Sequence, residues 1–158
     1  MQAEWQVVGH EWAVRLLQRA VAAGRVAHAY LLVGPPNIGK THLARELAAA
    51  LVCASNQPPC NICRACLRVR QNQHPDVSLV EPEGGKLKIA QVRSLQRELS
   101  LSPYEAKWRV CIVTDFHTTT VEAANALLKT LEEPPGHVVL VLTANDASTL
   151  LPTVVSRC

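Results

Sequence analysis

The chain has 158 residues, 48% hydrophobic and 18% charged, with 16 Lys+Arg against 13 Asp+Glu for a formal charge of +3. That is about one domain, able to bury a core without disulfides, and its composition argues against disorder. The charge is too mild to mark a nucleic-acid or membrane binder, and no apolar run approaches the ~20 residues of a membrane span. Met1-Gln-Ala-Glu-Trp-Gln-Val7 lacks the basic and apolar regions of a secretory signal, so a cytoplasmic protein is the expectation.

Residues 11–23 have the pattern of an amphipathic helix, with Trp12, Leu16, Ala20 and Ala23 spaced on one face and Gly24 as a stop. Ala29–Val33 is a short apolar run of the kind that is buried on both faces of a parallel sheet. Residues 40–52 are strong helix formers. The segment 53–66 begins as a loop, with Asn56, Pro58, Pro59 and Asn61. Val77–Val80 is a second strand and Glu83–Lys86 a turn. A helix follows near 89–100, with Ile89, Val92, Leu95 and Leu99 on one face. Arg109–Val113 is a third strand, Val121–Glu132 a helix ended by Pro134-Pro135, and Val138–Leu142 a fourth strand. Strands alternating with helices predict a three-layer α/β domain with a mostly parallel sheet. Its ligand crevice would lie at the carboxyl ends of the strands.

Gly34-Pro35-Pro36-Asn37-Ile38-Gly39-Lys40-Thr41 fits G-x4-G-K-[ST], and it lies between a buried strand and a helix. The two glycines allow the backbone to wrap a phosphate, whose charge faces successive N–H groups and the positive helix end. Lys40 reaches the β- and γ-phosphates, and Thr41 offers a hydroxyl to Mg²⁺. The strand ending Ile112-Val-Thr-Asp115 supplies Asp115, suited to holding a magnesium water or polarising an attacking one. A strand-end polar residue is the plainer account of Asp115. From the loop alone, a small P-loop kinase and an empty structural turn stay open.

Six cysteines stand at 53, 60, 63, 66, 111 and 158, four of them within fourteen residues. In a reducing compartment that cluster suggests a metal rather than disulfides. Cys53, Cys60, Cys63 and Cys66 make a full tetrahedral set for structural Zn²⁺, with no position left for water. An iron–sulfur cluster and free thiols are the alternatives. Cys111, inside a strand, reads as a small core residue.

Four stretches carry a resemblance: Gly24-Arg-Val-Ala-His-Ala-Tyr30, the Cys cluster, Ala124-Asn-Ala-Leu-Leu-Lys-Thr-Leu-Glu-Glu-Pro-Pro135, and Ser156-Arg-Cys158. Together the chain resembles the nucleotide-binding domain of bacterial DNA polymerase III clamp-loader subunits, a branch of the AAA+ ATPases. The resemblance implies a P-loop domain with a mostly parallel five-stranded sheet and an inserted four-cysteine zinc module over about 53–66. It implies ATP or ADP with Mg²⁺, partnership with tau/gamma and delta subunits, and contact with the sliding clamp and primed DNA through the complex. It also implies a bacterial, nucleoid-associated place in the cytoplasm. Counting back from Asn125, the Asp-Glu pair of tau and gamma subunits falls on Thr114 and Asp115. The Thr-Asp pair is similar to delta-prime subunits, which implies ATP binding with weak or no hydrolysis; an active tau/gamma-type subunit is the alternative. By the same resemblance Arg157 is an arginine finger acting on a neighbouring subunit, with a surface arginine after a short helix as the plainer reading; Asn145 stands at the sensor-1 position, with a loop-starting Asn before Asp146 as the equal alternative. The family spaces its first two cysteines more widely than Cys53 and Cys60, which makes His74 a substitute fourth ligand.

The resemblance places Val8-Gly-His10 near the adenine, with a surface histidine as the equal alternative. His28 flanks the first helix with His10, His117 reads as loop-end packing, and Glu132 and Glu133 as a solvated edge or an intersubunit contact. Trp5, Trp12 and Trp108 do not form a single-strand DNA platform; Arg93 and Arg97, on an exposed helix face, are the candidates for DNA phosphates. Residues 1–158 leave no room for the family's helical lid and collar. An isolated, monomeric domain is the expectation.

Overall fold

The computed structural model describes residues 5–158. Four strands form the sheet: β1 (Ala29–Val33), β2 (Val77–Val80), β3 (Arg109–Val113) and β4 (Val138–Ala144). They lie in the order β1-β4-β3-β2, and every neighbouring pair is parallel. The sheet therefore has four strands among the described residues, one fewer than the resemblance implies.

The helices are α1 (Glu11–Ala22), α2 (Lys40–Val52), α3 (Arg64–Arg70), α4 (Ile89–Leu99), α5 (Val121–Glu132) and α6 (Pro152–Arg157). Alternation along the strands sorts the core into two halves, because successive side chains point to opposite faces. Val110, Ile112, Val139 and Val141 pack with Leu17 of α1, with α2 and with Val69 of α3. Cys111, Val113, Leu140 and Leu142 pack with Val92, Leu95 and Leu99 of α4, Leu127 and Leu131 of α5, and Val154 of α6. The result is the expected three layers. The middle strands β3 and β4 are buried throughout, whereas β1 is an edge and leaves Leu31 and Leu32 half-buried. It is thus less enclosed than its apolar run predicts.

Local chemistry sets several boundaries. Thr120 caps α5, its hydroxyl accepting the Ala123 N–H at 3.2 Å, as N-cap residues do. Gln91 accepts the Lys88 N–H at 3.0 Å and starts α4. Cys63 caps α3, its sulfur accepting from the Cys66 N–H. That short helix has no counterpart in the sequence reading.

The predicted face of α1 is wrong. Trp12 and Leu16 are 75% and 61% exposed, while Leu17 is 4% exposed and packs with Ala13, Val14 and Val21. The helix carries two apolar stripes at helical spacing, and the one with smaller side chains turns inward. Ala-rich α2 lies close behind it, buried from Leu43 nearly without interruption to Val52.

Candidate functional site

Register brings the carboxyl ends of three strands level: Val33 pairs with Ala144, and Leu142 with Val113. The segments that leave those strands carry the polar residues of the site. Gly34 leaves β1, its N–H donating to Ala144 O at 3.1 Å. A methyl group on Gly34 would run into the Ile38 side chain. Asn37 and Gly39 take positive φ, 66° and 98°, and Gly39 there starts α2. Only glycine takes that conformation without strain. The four N–H groups that open a helix have no partner within it, and Gly39, Lys40, Thr41 and His42 all border one open cleft of about 520 Å³.

Lys40 crosses this cleft. Its Nζ donates to Gly34 O, to Ala144 O at 3.1 Å and to Asn145 Oδ1 at 3.0 Å. Burial lowers the lysine below its ordinary value, against the pull of the Asp115 carboxylate. Asp115, Thr143 and Asn145 complete the cleft wall. Asp115 is exposed and holds φ of 51°, a region costly for a side-chain-bearing residue. Its N–H donates to Thr143 Oγ1 at 3.1 Å. Among the described residues it is the one acidic residue bordering this cleft; Thr41 and Asp115 also face a second, adjoining cavity, which Glu81 and Thr114 line with them. Thr114 is buried, and its hydroxyl donates to Val80 O at 3.4 Å.

The residues fit a bound nucleotide tail. A glycine cradle, a cation and the amino end of a thirteen-residue helix converge on one open space. A larger groove, about 980 Å³, runs along the β2 edge, and none of residues 34–41 borders it.

One residue of the site, Thr143, escaped the sequence reading. His117 packs at the loop end as expected, accepting the Asn145 N–H on Nδ1 at 3.3 Å. Thr143 lies inside an apolar strand and gave no signal. His10 approaches the loop itself, with Nε2 2.8 Å from Ile38 O. Arg157 is exposed at the end of α6 and does not border the cleft. Arg93, Arg97, His28, Glu132 and Glu133 are exposed as well.

The four cysteines converge. The sulfurs of Cys53, Cys60, Cys63 and Cys66 all lie within 4.8 Å of one another, with Cys53 and Cys63 at 3.9 Å. Zn–S bonds near 2.3 Å at tetrahedral angles separate sulfurs by about 3.8 Å, so one ion fits between them. Iron–sulfur clusters interpose several atoms and need a wider ring. N–H groups of Ser55 and Cys60 point at Cys53 Sγ, both at 3.4 Å, and that of Cys63 at Cys60 Sγ at 3.3 Å. The N–H groups of Ile62 and Cys63 lower the Cys60 thiol to about 6, whereas burial pushes Cys53 and Cys66 up. A bound cation would deprotonate all four. His74 is outside the group: it is buried, with Nδ1 accepting the Asp76 N–H and Nε2 3.4 Å from Glu105. Burial likewise raises Cys111, within β3.

This sheet order, loop and strand-end constellation define a P-loop NTPase domain of the AAA+ class. Solved structures agree on the fold. A DNA polymerase III gamma subunit-related protein of Thermotoga maritima superposes with a TM-score of 0.62 at 26% identity, over 91% of this chain and 43% of that one. The Thermotoga maritima RuvB branch-migration motor superposes with a TM-score of 0.57 at 18% identity, over 95% and 43%, a likeness of fold alone.

The chain belongs to the bacterial DNA polymerase III clamp-loader family: a family model described as DNA polymerase III, delta subunit, matches residues 9–158. It is 38% identical over 146 residues to DNA polymerase III subunit delta' of Bacillus subtilis, covering 92% of this chain and 44% of that protein. It is 37% identical over 158 residues to subunit gamma/tau of Mycobacterium tuberculosis, covering 96% and 27%. The chain thus spans less than half the length of these relatives. No helix among the described residues is long and apolar enough to cross a membrane.

Proposed function

We propose that this domain is the nucleotide-binding part of a delta-prime-type clamp-loader subunit in a bacterial cytoplasm. It holds MgATP or MgADP on residues 34–41, with Thr41 toward the Mg²⁺. It hydrolyses ATP slowly or not at all. Arg157 stabilises γ-phosphate charge in a neighbouring subunit's site. Tau/gamma and delta subunits are its partners, and through them the sliding clamp and primed DNA. The carrying observation is a complete lysine-bearing loop beside a buried, neutral Thr114, with Asp115 as the cleft's one acidic residue among those described. By the resemblance, active subunits carry an Asp-Glu pair at this strand end for Mg²⁺ and water; here Asp115 stands alone, and a threonine hydroxyl turned toward Val80 O does not replace the missing charge.

The Cys cluster holds Zn²⁺ as a structural ion. Four protein ligands leave no open position, and the binding energy orders a loop with little core of its own.

The test is ATP turnover in a reconstituted loader in which only this subunit keeps its P-loop lysine. Turnover at or near background is expected. Turnover equal to that of a tau subunit would replace this reading by the second one, an active gamma/tau-type subunit. The identity to gamma/tau over 96% of the chain gives that reading its footing. The loop's third reading, a stand-alone kinase, finds no support in the family match.

A further inference from the structure

The side chain of Arg70 joins three parts of the molecule. It is the last residue of α3, the helix capped by Cys63 and carrying Cys66. Its Nη2 donates to Glu46 Oε1 at 2.9 Å and to Asn61 Oδ1, within the thiolate turn. Its Nη1 donates to Gln6 Oε1 at 2.6 Å. Glu46 is 2% exposed and lies on α2, the P-loop helix; its other oxygen accepts the Gln6 N–H at 3.0 Å. The arm that begins at Gln6 then reaches the nucleotide cleft twice. His42 Nε2 meets Gln6 O, and His10 Nε2 lies 2.8 Å from Ile38 O inside the phosphate loop. Gly9 and His10, both at positive φ, turn the arm into α1.

We propose that Arg70 is a positioning residue that couples the four-thiolate module to the nucleotide cleft, through Glu46 on one side and the Gln6–His10 arm on the other. The inference rests on the zinc and nucleotide readings above. Its physical basis is the planar guanidinium, whose donors lie in a fixed fork. The fork is set by Asn61 only when the thiolate turn is ordered, and an ordered turn is what a tetrahedral ion provides. With the turn loose, Glu46 and Gln6 lose their common partner, and the arm loses its hold on the loop at Ile38. Coupling of this kind is reciprocal: what metal does for nucleotide, nucleotide does for metal.

The experiment uses the zinc-loaded 158-residue chain. Zinc affinity is measured by equilibrium competition with a colorimetric chelator, with and without saturating MgADP, and ADP affinity is measured with a fluorescent analogue. In the wild type, MgADP should tighten zinc binding by about 5–10-fold, the low end of common coupling factors. Arg70→Lys keeps a charge against Glu46 but not the fork; Gln6→Ala alters an exposed side chain. Both should retain one zinc and bind the analogue, yet the ADP effect on zinc affinity should fall to near onefold. A merely structural role would lower the melting temperature and leave that ratio intact. An unchanged ratio in both variants, or no ADP effect in a wild type that binds ADP, overturns the coupling alone. A wild type that binds no ADP overturns the nucleotide reading and the coupling with it.

Discussion

Replacing Lys40 by methionine removes the loop's charge while keeping most of the apolar stem. A charge-assisted hydrogen bond contributes about 1.5–3 kcal/mol. Here Nζ leaves Ala144 O and Asn145 Oδ1, at 3.1 and 3.0 Å, to reach a phosphate. That exchange trims the gain, so the net contribution is about 2 kcal/mol, or ~30-fold in Kd. The chain's own stability should change little, within about 1 kcal/mol, because Ala144 O keeps the Gly34 N–H and Asn145 borders the open cleft. The assay is titration with a fluorescent ADP analogue from pH 7 to pH 10. Burial lowers the lysine from its ordinary 10.5, so wild-type affinity should weaken earlier on the alkaline side than an ordinary lysine would allow. Lys40→Met should lack that alkaline limb. A loss of threefold or less, with the alkaline limb still present, would refute the assignment of Lys40 as the phosphate ligand.

Asp76→Asn should destabilise the fold by about 2–4 kcal/mol in urea unfolding. The carboxylate is fully buried, accepts the N–H groups of Glu105 and Ala106 at 2.9 and 2.8 Å and that of Tyr104, and lies 3.8 Å from Arg109. Burial alone would raise its pKa, but those N–H groups hold it below 3.8. Its contribution is therefore complete above pH 3.8 and lost as pH falls through the lower folded value, so the gap to wild type should shrink in strong acid. Cys53→Ser should abolish tight zinc binding, measured by metal content after dialysis, whereas Cys158→Ser should keep one zinc. Arg157→Ala, in a reconstituted loader, should slow the neighbouring site's turnover by at least ~10³-fold and leave this domain's own nucleotide Kd unchanged.

The strands were legible because parallel strands under two layers must be apolar throughout. Arg109–Val113 is read at its true limits for that reason, whereas the edge strands Ala29–Val33 and Val77–Val80 are half-buried and owe their legibility to short apolar runs alone. The last strand runs on to Ala144 because Thr143 and Ala144 pair with Leu32 and Val33, and a threonine in an apolar run hides that partner. The phosphate loop and the thiolates were legible because their chemistry fixes spacing within a few residues. What could not be read was non-local. Asp76 binds a loop some thirty positions onward, and Arg70 finds Glu46 on another helix. The buried face of α1 failed for a related reason: periodicity marks stripes, and only the neighbour decides which stripe is covered.

Sheet order explains why one lysine touches so much of this site. Strand β4 enters the sheet between β1 and β3, so the chain leaving β4 emerges beside the phosphate loop. There Ala144 accepts from both Gly34 and Lys40. Asn145, one residue on, takes Lys40 on its side chain and donates its N–H to His117, in the segment that follows Asp115. A phosphate that draws Nζ away therefore removes a partner from Asn145, and through it reaches the loop after β3. The contacts run along strand ends spaced by the ordinary ~5 Å of a sheet, so they need no moving domain. On the proposed reading, the contacts that would register a phosphate are complete at these strand ends, while Thr114 supplies no charge for splitting it.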